Sequence, residues 1–379
     1  MRGSMRQRSE GSWELRVFVG RDPLSGRPQY VTRTFRGGRR DAERELAALV
    51  SSAATARPTA SMTVGEALEQ WFEHAKQALS PSTVATTRVV LDSHLLPYLG
   101  TIPLRKLTPA KVDAVYRALR ERGGRKGKPL SSATVQRAHN VLHRAMAQAV
   151  RWGWLPLNPV ASATAPKRDH RVLQPPTPAE VLRVVEAAEH IDHGLGVYLL
   201  VAASTGARRS ELVALRWSDL DLHAGVVVIG RGVVTGLEGL VEKDTKTHAA
   251  RRIALDAGTV EVLRAHHEQL GERAKACDAE LAGNAFVFSD EPDGSRPWKP
   301  DFVTQAFARV AKRAGVPNAR LHDLRHFVAT RLLANGVDVR TVAGRLGHKN
   351  PNVTLNVYAA FLPEADRDAA DVIGKLLVR

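Results

Sequence analysis

The chain has 379 residues, of which 44% are hydrophobic and only 5% aromatic, with one cysteine and a formal net charge of +16. That length supports two or three domains, each large enough to bury its own core. A single cysteine excludes an intrachain disulfide framework; with no run near the ~18 apolar residues of a membrane span and no apolar leader core after Met1, a cytoplasmic protein without a membrane partner is expected.

The charge is unevenly spread. Residues 1–60 carry 12 Lys+Arg against 6 Asp+Glu, residues 61–163 carry 14 against 6, and residues 164–379 carry 29 against 27. A basic front on a near-neutral back suggests a nucleic-acid grip joined to a separate working part. A merely solvated surface is the plain alternative.

In chain order, residues 13–19 and 29–35 read as strands around a turn cluster at 21–26, and residues 41–50 as a short helix. This predicts a small ββα-like unit over residues 1–55. Its strands carry Arg16, Arg21, Arg27, Arg33 and Arg36. A two-stranded ribbon fits the DNA major groove, so Arg16 and Arg33 are candidate DNA contacts. A small-residue linker spans 51–61. Four amphipathic helices follow over residues 61–163, in the pattern of a compact bundle. The first opens at Thr63 with Glu66 three residues on, the second at Ser80-Pro81, the third at Thr108-Pro109 and the fourth at Ser131 or Ser132. The basic loop 122–128 offers Arg125, Lys126 and Lys128 to a DNA backbone, or simply to solvent.

Residues 164–176 are Pro-rich and basic, the composition of an interdomain linker. Thr177-Pro178 with Glu180 opens a new helical domain that takes the chain to residue 379. A buried helix ends near Ser204, Thr205-Gly206 breaks it, and Arg208 opens a helix expected to run through Arg216. An arginine in a first helical turn sits beside free backbone N–H groups, a natural phosphate site. Strands at 226–229 and 251–255 flank Lys243 and Lys246 on an expected hairpin. Lys246 is a candidate proton donor to a leaving alkoxide. His322-Asp-Leu-Arg325-His326 opens a helix ending at Ala334 before Asn335-Gly336. His322 and Arg325 share a face there. His322 and His326 have the spacing of a helical metal pair, but the zinc-hydrolase glutamate is missing and Arg325 would repel a cation, so no metal is expected. Leu346-Gly347-His348 ends a short helix, and Tyr358 follows ten residues after His348. Arginine forks grip phosphate and a tyrosine hydroxyl can attack it.

Taken together and in this order, these strings resemble the tyrosine recombinases of the phage-integrase family, over residues 61–365. The front unit resembles the arm-type DNA-binding domain of integrases in layout. The resemblance implies a mainly α fold with small β elements: an arm-binding domain at 1–55, a core-binding helical (SAM-like) domain at 61–163, and an α+β catalytic domain at 177–379. The family pattern Arg–Lys–His–Arg–His–Tyr carries over to Arg208, Lys246, His322, Arg325, His348 and Tyr358, with Glu211 buttressing Arg208. Lys243 is the other candidate for the lysine. The implied chemistry is cleavage of double-stranded DNA at attachment sites through a 3′-phosphotyrosyl bond, without metal, nucleotide or other cofactor. It also implies a homotetramer on DNA, accessory bending or directionality factors, and a bacterial host. Phe327 departs from the family's usual small polar residue but touches none of the chemical positions. A Xer-like recombinase, a type IB-like topoisomerase and a non-catalytic DNA-binding protein are the rival readings.

Overall fold

The computed structural model describes residues 3–9, 11–21, 28–55, 62–167, 174–244 and 250–348. It divides into two compact units, Met1–Arg171 and Val172–Arg379.

The first unit opens with a sheet rather than a ribbon. The sequence pattern predicts two strands; the chain forms three, β1 (Gly3–Ser9), β2 (Ser12–Arg21) and β3 (Pro28–Arg36), antiparallel in the order β1-β2-β3. β1 reads Gly-Ser-Met-Arg-Gln-Arg-Ser and has no apolar alternation to betray it. It is an edge strand, held by its register with β2 from Gly3↔Val17 onward. Helix α1 (Arg39–Thr55) packs on the sheet and extends past the expected end at Val50. Leu15 and Val17 are fully buried beneath it, together with Ala42. Gly3 permits the close approach, since an added Cβ would lie 2.9 Å from side-chain atoms of Leu46 and Val50. Alternation along β2 turns Arg16 to the opposite, open face.

The helical part of this unit follows its sequence signals closely. α2 (Val64–Ala75) starts at the Thr63–Glu66 capping box, with both reciprocal hydrogen bonds made. α3 (Pro81–Val90) leads through a π-turn at Leu91–Leu95 into α4 (Leu96–Leu99). The helix opened at Ser80-Pro81 widens there because Pro97 lacks an N–H and its ring would meet the Ser93 carbonyl; the wider turn relieves both. α5 (Pro109–Arg122) and α6 (Ser132–Arg151) complete the bundle. Leu68, Leu91, Leu95, Leu99, Leu104, Leu119 and Leu142 are fully buried in its core. Burying each such side chain favours folding by about 1.5–3 kcal/mol. Arg88 fastens α3 to α2 through two hydrogen bonds to Glu69, at 2.7 and 2.8 Å.

The second unit is mainly helical with small sheets. α7 (Pro178–Glu189) begins at a Thr177–Glu180 capping box. α8 (His193–Thr205) is apolar all round and packs against α7 and two later helices, α10 (Ala257–Ala276) and α12 (Leu321–Ala334). α9 (Arg209–Leu212) is a single turn. β4 (Leu220–Asp221), β5 (Val226–Ile229) and β8 (Arg251–Ala254) form one antiparallel sheet in the order β4-β5-β8. Between β5 and β8 the chain inserts a separate hairpin, β6 (Arg231–Thr235) with β7 (Leu240–Asp244). α11 (Pro300–Arg313) and α13 (Val339–Leu346) are its remaining helices among the described residues. Among the described residues no helix is long and apolar enough to cross a membrane.

Gly65 marks the tightest crossing in the bundle. Its N–H donates to Gly100 O at 3.0 Å, and an added Cβ would stand 2.9 Å from that same backbone oxygen. Backbone cannot swing aside, so Gly65→Ala should destabilise the first unit by about 1–3 kcal/mol. Gly271→Ala, in a helix with open space around it, should cost nothing. Urea unfolding of both variants checks this; an unchanged or raised midpoint for Gly65→Ala would refute the close-approach reading.

Candidate active site

Three helix ends converge on one cluster of arginines and histidines. α8 terminates at Gly206, which is left-handed at φ 66°. An added Cβ there would lie 2.6 Å from Leu346 Cδ2 and 3.2 Å from Val328 Cγ1, so α12 and α13 close directly over the turn. The Gly206 carbonyl accepts from Arg325 Nη1 at 2.8 Å, and Arg325 is only 4% exposed. Immediately after the turn, Arg208 stands at the N-cap of α9. The helix expected through Arg216 stops at Leu212. The chain is drawn off into extended pairing just beyond it: Val287 N–H donates to Leu215 O at 2.9 Å and Trp217 N–H to Ala285 O at 3.1 Å.

Glu211 organises this turn. Its carboxylate accepts from the Arg208 backbone N–H at 2.8 Å and from Arg208 Nη1 at 2.7 Å. It also accepts from Arg251 Nη2 at 2.6 Å and Nη1 at 3.2 Å. Burial alone would raise its pKa. The hydrogen bond and charge of Arg251, with the backbone and charge of Arg208, outweigh burial and lower it, so Glu211 stays ionised. Both guanidiniums also reach the last turn of α13. Arg208 Nη2 donates to Gly347 O at 3.0 Å and Arg251 Nε to Arg345 O at 2.9 Å. Arg345 in turn donates through Nη2 to Ser204 O at 2.8 Å and Ala254 O at 3.2 Å.

The two histidines flank this cluster. α12 starts at Arg320, whose backbone N–H donates to Asp323 at 2.8 Å, and this presents His322 one residue into the helix. Its ring meets His326 edge to face at 4.9 Å. His348 follows left-handed Gly347 (φ 68°), and its backbone N–H closes onto Ala343 O at 2.9 Å. The His322 pKa is lowered to about 4, by loss of hydration first and then by the charges of His326 and Arg325. The His348 pKa is also lowered to about 4, by burial and then by Arg325, Arg208, His322 and Arg251. Both rings are therefore neutral at pH 7, able to donate and to accept a proton. Arginines held on carbonyls beside neutral imidazoles make a site for an anion with proton-transfer groups at its edge. Among the described residues no group of three or more metal-ligating side chains is suited to hold a metal ion.

Of the residues singled out in the sequence, Arg208, Glu211, His322, Arg325 and His348 come together here. Lys246 and Tyr358 lie outside the described residues. Lys243 is on β7, opposite Gly232. The strands expected to flank the lysines do pair, Val227 with Ile253, and the connection between them folds into a second hairpin, β6–β7, that carries Lys243. Arg251 and Arg345 were missed, because an isolated strand or helix arginine carries no sign of a partner 40 or 94 residues away in the chain. The candidate contacts of the first unit separate. Arg16 lies on the open sheet face with its guanidinium 3.7 Å from the Tyr30 ring centroid. Arg33 instead stands opposite Leu15 in register and is paired with Glu45 of α1. Arg125, Lys126 and Lys128 are exposed on a 3₁₀ turn at Arg125–Gly127 and the residue after it.

Comparison with known proteins converges on one family. Residues 177–364 match the model of the phage integrase family, and residues 63–119 match the SAM-like N-terminal domain of phage integrases. The chain belongs to the phage integrase family, the tyrosine recombinases. Among its relatives is a XerC-like tyrosine recombinase of Caldanaerobacter subterraneus subsp. tengcongensis, 25% identical, with 84% of each chain covered. An integrase of Streptomyces ambofaciens is 29% identical, over 78% of this chain and 76% of its own. The integrase fold is shared with a lambda integrase tetramer solved on a Holliday junction, at TM-score 0.60 and 20% identity, covering 93% of this chain and 94% of that one.

The depressed histidines give this family member a pH signature. A folded-state pKa of about 4 against an unfolded value of about 6.5 means the unfolded chain takes up these protons first. Their stabilising contribution is whole above the unfolded value and is lost as pH falls from about 6.5 toward 4. Melting temperature should drop across that window, and His322→Gln and His348→Gln should each drop less than the parent. Identical slopes in all three proteins would refute the assignment of neutral rings.

Proposed function

We propose that this protein is a site-specific DNA integrase that cuts and rejoins strands through a covalent tyrosyl intermediate. The carrying observation is the placement of Arg208 and Arg325 on the carbonyls of Gly347 and Gly206, beside the neutral rings of His322 and His348. In this reading the Tyr358 hydroxyl attacks the scissile phosphorus and forms the Tyr–O–P bond as the P–O5′ bond breaks. Arg208 and Arg325 hold the nonbridging oxygens, where negative charge builds up in the transition state. Lys246 gives its proton to the leaving 5′-oxygen, His322 takes the tyrosine proton, and His348 hydrogen-bonds the phosphate. Attack by the 5′-hydroxyl of a partner strand reverses the step. Bond energy is kept in the phosphotyrosine, so the proposed cycle uses no metal, nucleotide or other cofactor.

The proposed partners are double-stranded attachment sites, with four protomers assembling on DNA as in the lambda integrase tetramer and accessory factors bending it. Residues 1–55 would read arm-type sites, 61–163 the core site and 177–379 would carry the chemistry. The open face of the first sheet supports the arm reading through Arg16, its cross-strand neighbours Ser4 and Thr32, and Tyr30. Arg33, committed to Glu45, is a poorer candidate.

Two experiments decide these points. Tyr358→Phe should bind core-site DNA normally yet form no detergent-resistant adduct with a nicked suicide substrate; an adduct at parental level would defeat the nucleophile assignment. Arg16→Ala should weaken arm-site binding about tenfold, a single good contact, and leave core-site cleavage intact, with Arg33→Ala weaker in effect. The reverse ranking in a mobility-shift titration would place DNA on the other face.

A further inference from the structure

Arg251, like Arg208, touches both Glu211 and the end of α13. On one side it fills two acceptor sites of Glu211, which also holds Arg208. On the other it donates to Arg345 O, one turn before His348. Its guanidinium lies flat against Gly347, where an added Cβ would sit 2.9 Å from Arg251 Nη1. Arg208 closes the circuit by donating to Gly347 O. Two guanidiniums, one carboxylate and two carbonyls of a single helix end thus form a closed ring. Arg251 enters it from the first residue of β8 with only 12% of its side chain exposed.

We propose that Arg251 is a positioning residue that holds Arg208 and His348 in mutual register for phosphate binding. It does so from behind the site, through Glu211 and the α13 terminus, without touching the reacting atoms. A guanidinium is required because its rigid fork meets a carboxylate edge with two N–H groups while a third N–H reaches the Arg345 carbonyl. A lysine ammonium is a single point charge and cannot span both. The inference rests on the reading of the cluster as the phosphate-cleaving site.

The test compares Arg251→Lys with Arg251→Gln. Lysine keeps the charge and loses the fork; glutamine loses both. In single-turnover cleavage of core-site DNA both variants should slow covalent adduct formation by about 100-fold, the cost of roughly an ångström of misplacement, with DNA affinity changed much less. Recovery of the parental cleavage rate by Arg251→Lys would overturn the proposal, leaving Arg251 as a charge alone. Should Arg251→Gln fail to fold, the lysine variant decides by itself. Inorganic phosphate, followed by the His322 and His348 ring shifts, gives a readout independent of cleavage. Both variants should bind it about tenfold more weakly, and unchanged affinity in both would equally overturn the proposal. A parental protein that binds phosphate but forms no adduct would instead sink the recombinase reading and leave the positioning role standing.

Discussion

The buried carboxylate of Glu211 is the constraint on which the second unit depends. A carboxylate with 4% exposure costs several kcal/mol to desolvate unless it is paired and hydrogen-bonded. Here the partners are two arginines and a backbone N–H, drawn from α9 and β8. Those same arginines are tied to the end of α13. Segments separated by more than a hundred residues in the chain must therefore assemble together, because leaving any one out strands a buried charge. Electrostatic necessity, rather than apolar packing alone, brings the site's parts to one place.

Helix ends supply the other half of the design. The last carbonyls of a helix have no partner within it and carry the negative end of its dipole. α8 and α13 both finish on a left-handed glycine, which turns the chain sharply and leaves those carbonyls facing inward. Gly206 O and Gly347 O take one N–H from Arg325 and Arg208 respectively. A backbone carbonyl holds Arg325, and a carbonyl together with Glu211 holds Arg208. A carbonyl fixes the direction of an arginine without cancelling its charge, so that charge adds to burial in keeping His322 and His348 neutral.

What the sequence made legible were features encoded within a few residues. The Thr63 and Thr177 capping boxes, the Asn335-Gly336 helix stop and the His-Asp-Leu-Arg helix start all depend on local geometry, and all were readable. Features that depend on a distant partner were not. β1 is polar throughout and exists because β2 offers it a hydrogen-bonding edge. The helix at Arg209 stops early because Leu215 and Trp217 pair with Val287 and Ala285, far along the chain. Arg16 in β2 and Arg33 in β3 look alike in the sequence, and only the packing of α1 on one face of the sheet separates a paired residue from an open one. Arg251 and Arg345 likewise become informative only once Glu211 and the Ser204 carbonyl stand beside them. Short motifs name the groups that do chemistry, and the groups that aim them are visible only in three dimensions.

The charge distribution separates two tasks that a single net value would merge. Residues 164–379 are close to neutral, with 29 basic against 27 acidic residues, and yet the cluster around Glu211 is cationic. Attraction of a phosphate there must be short-range, set by a few guanidiniums held in place. The long-range field belongs to residues 1–163, where basic residues outnumber acidic ones 26 to 12. Under the proposed function that front half steers and grips DNA, and it should carry most of the salt dependence of binding. The catalytic unit is then free to keep a balanced surface and a precise interior. Excess charge there would add affinity at every phosphate of a duplex, whereas the ring of Arg208, Glu211, Arg251 and the α13 terminus selects one.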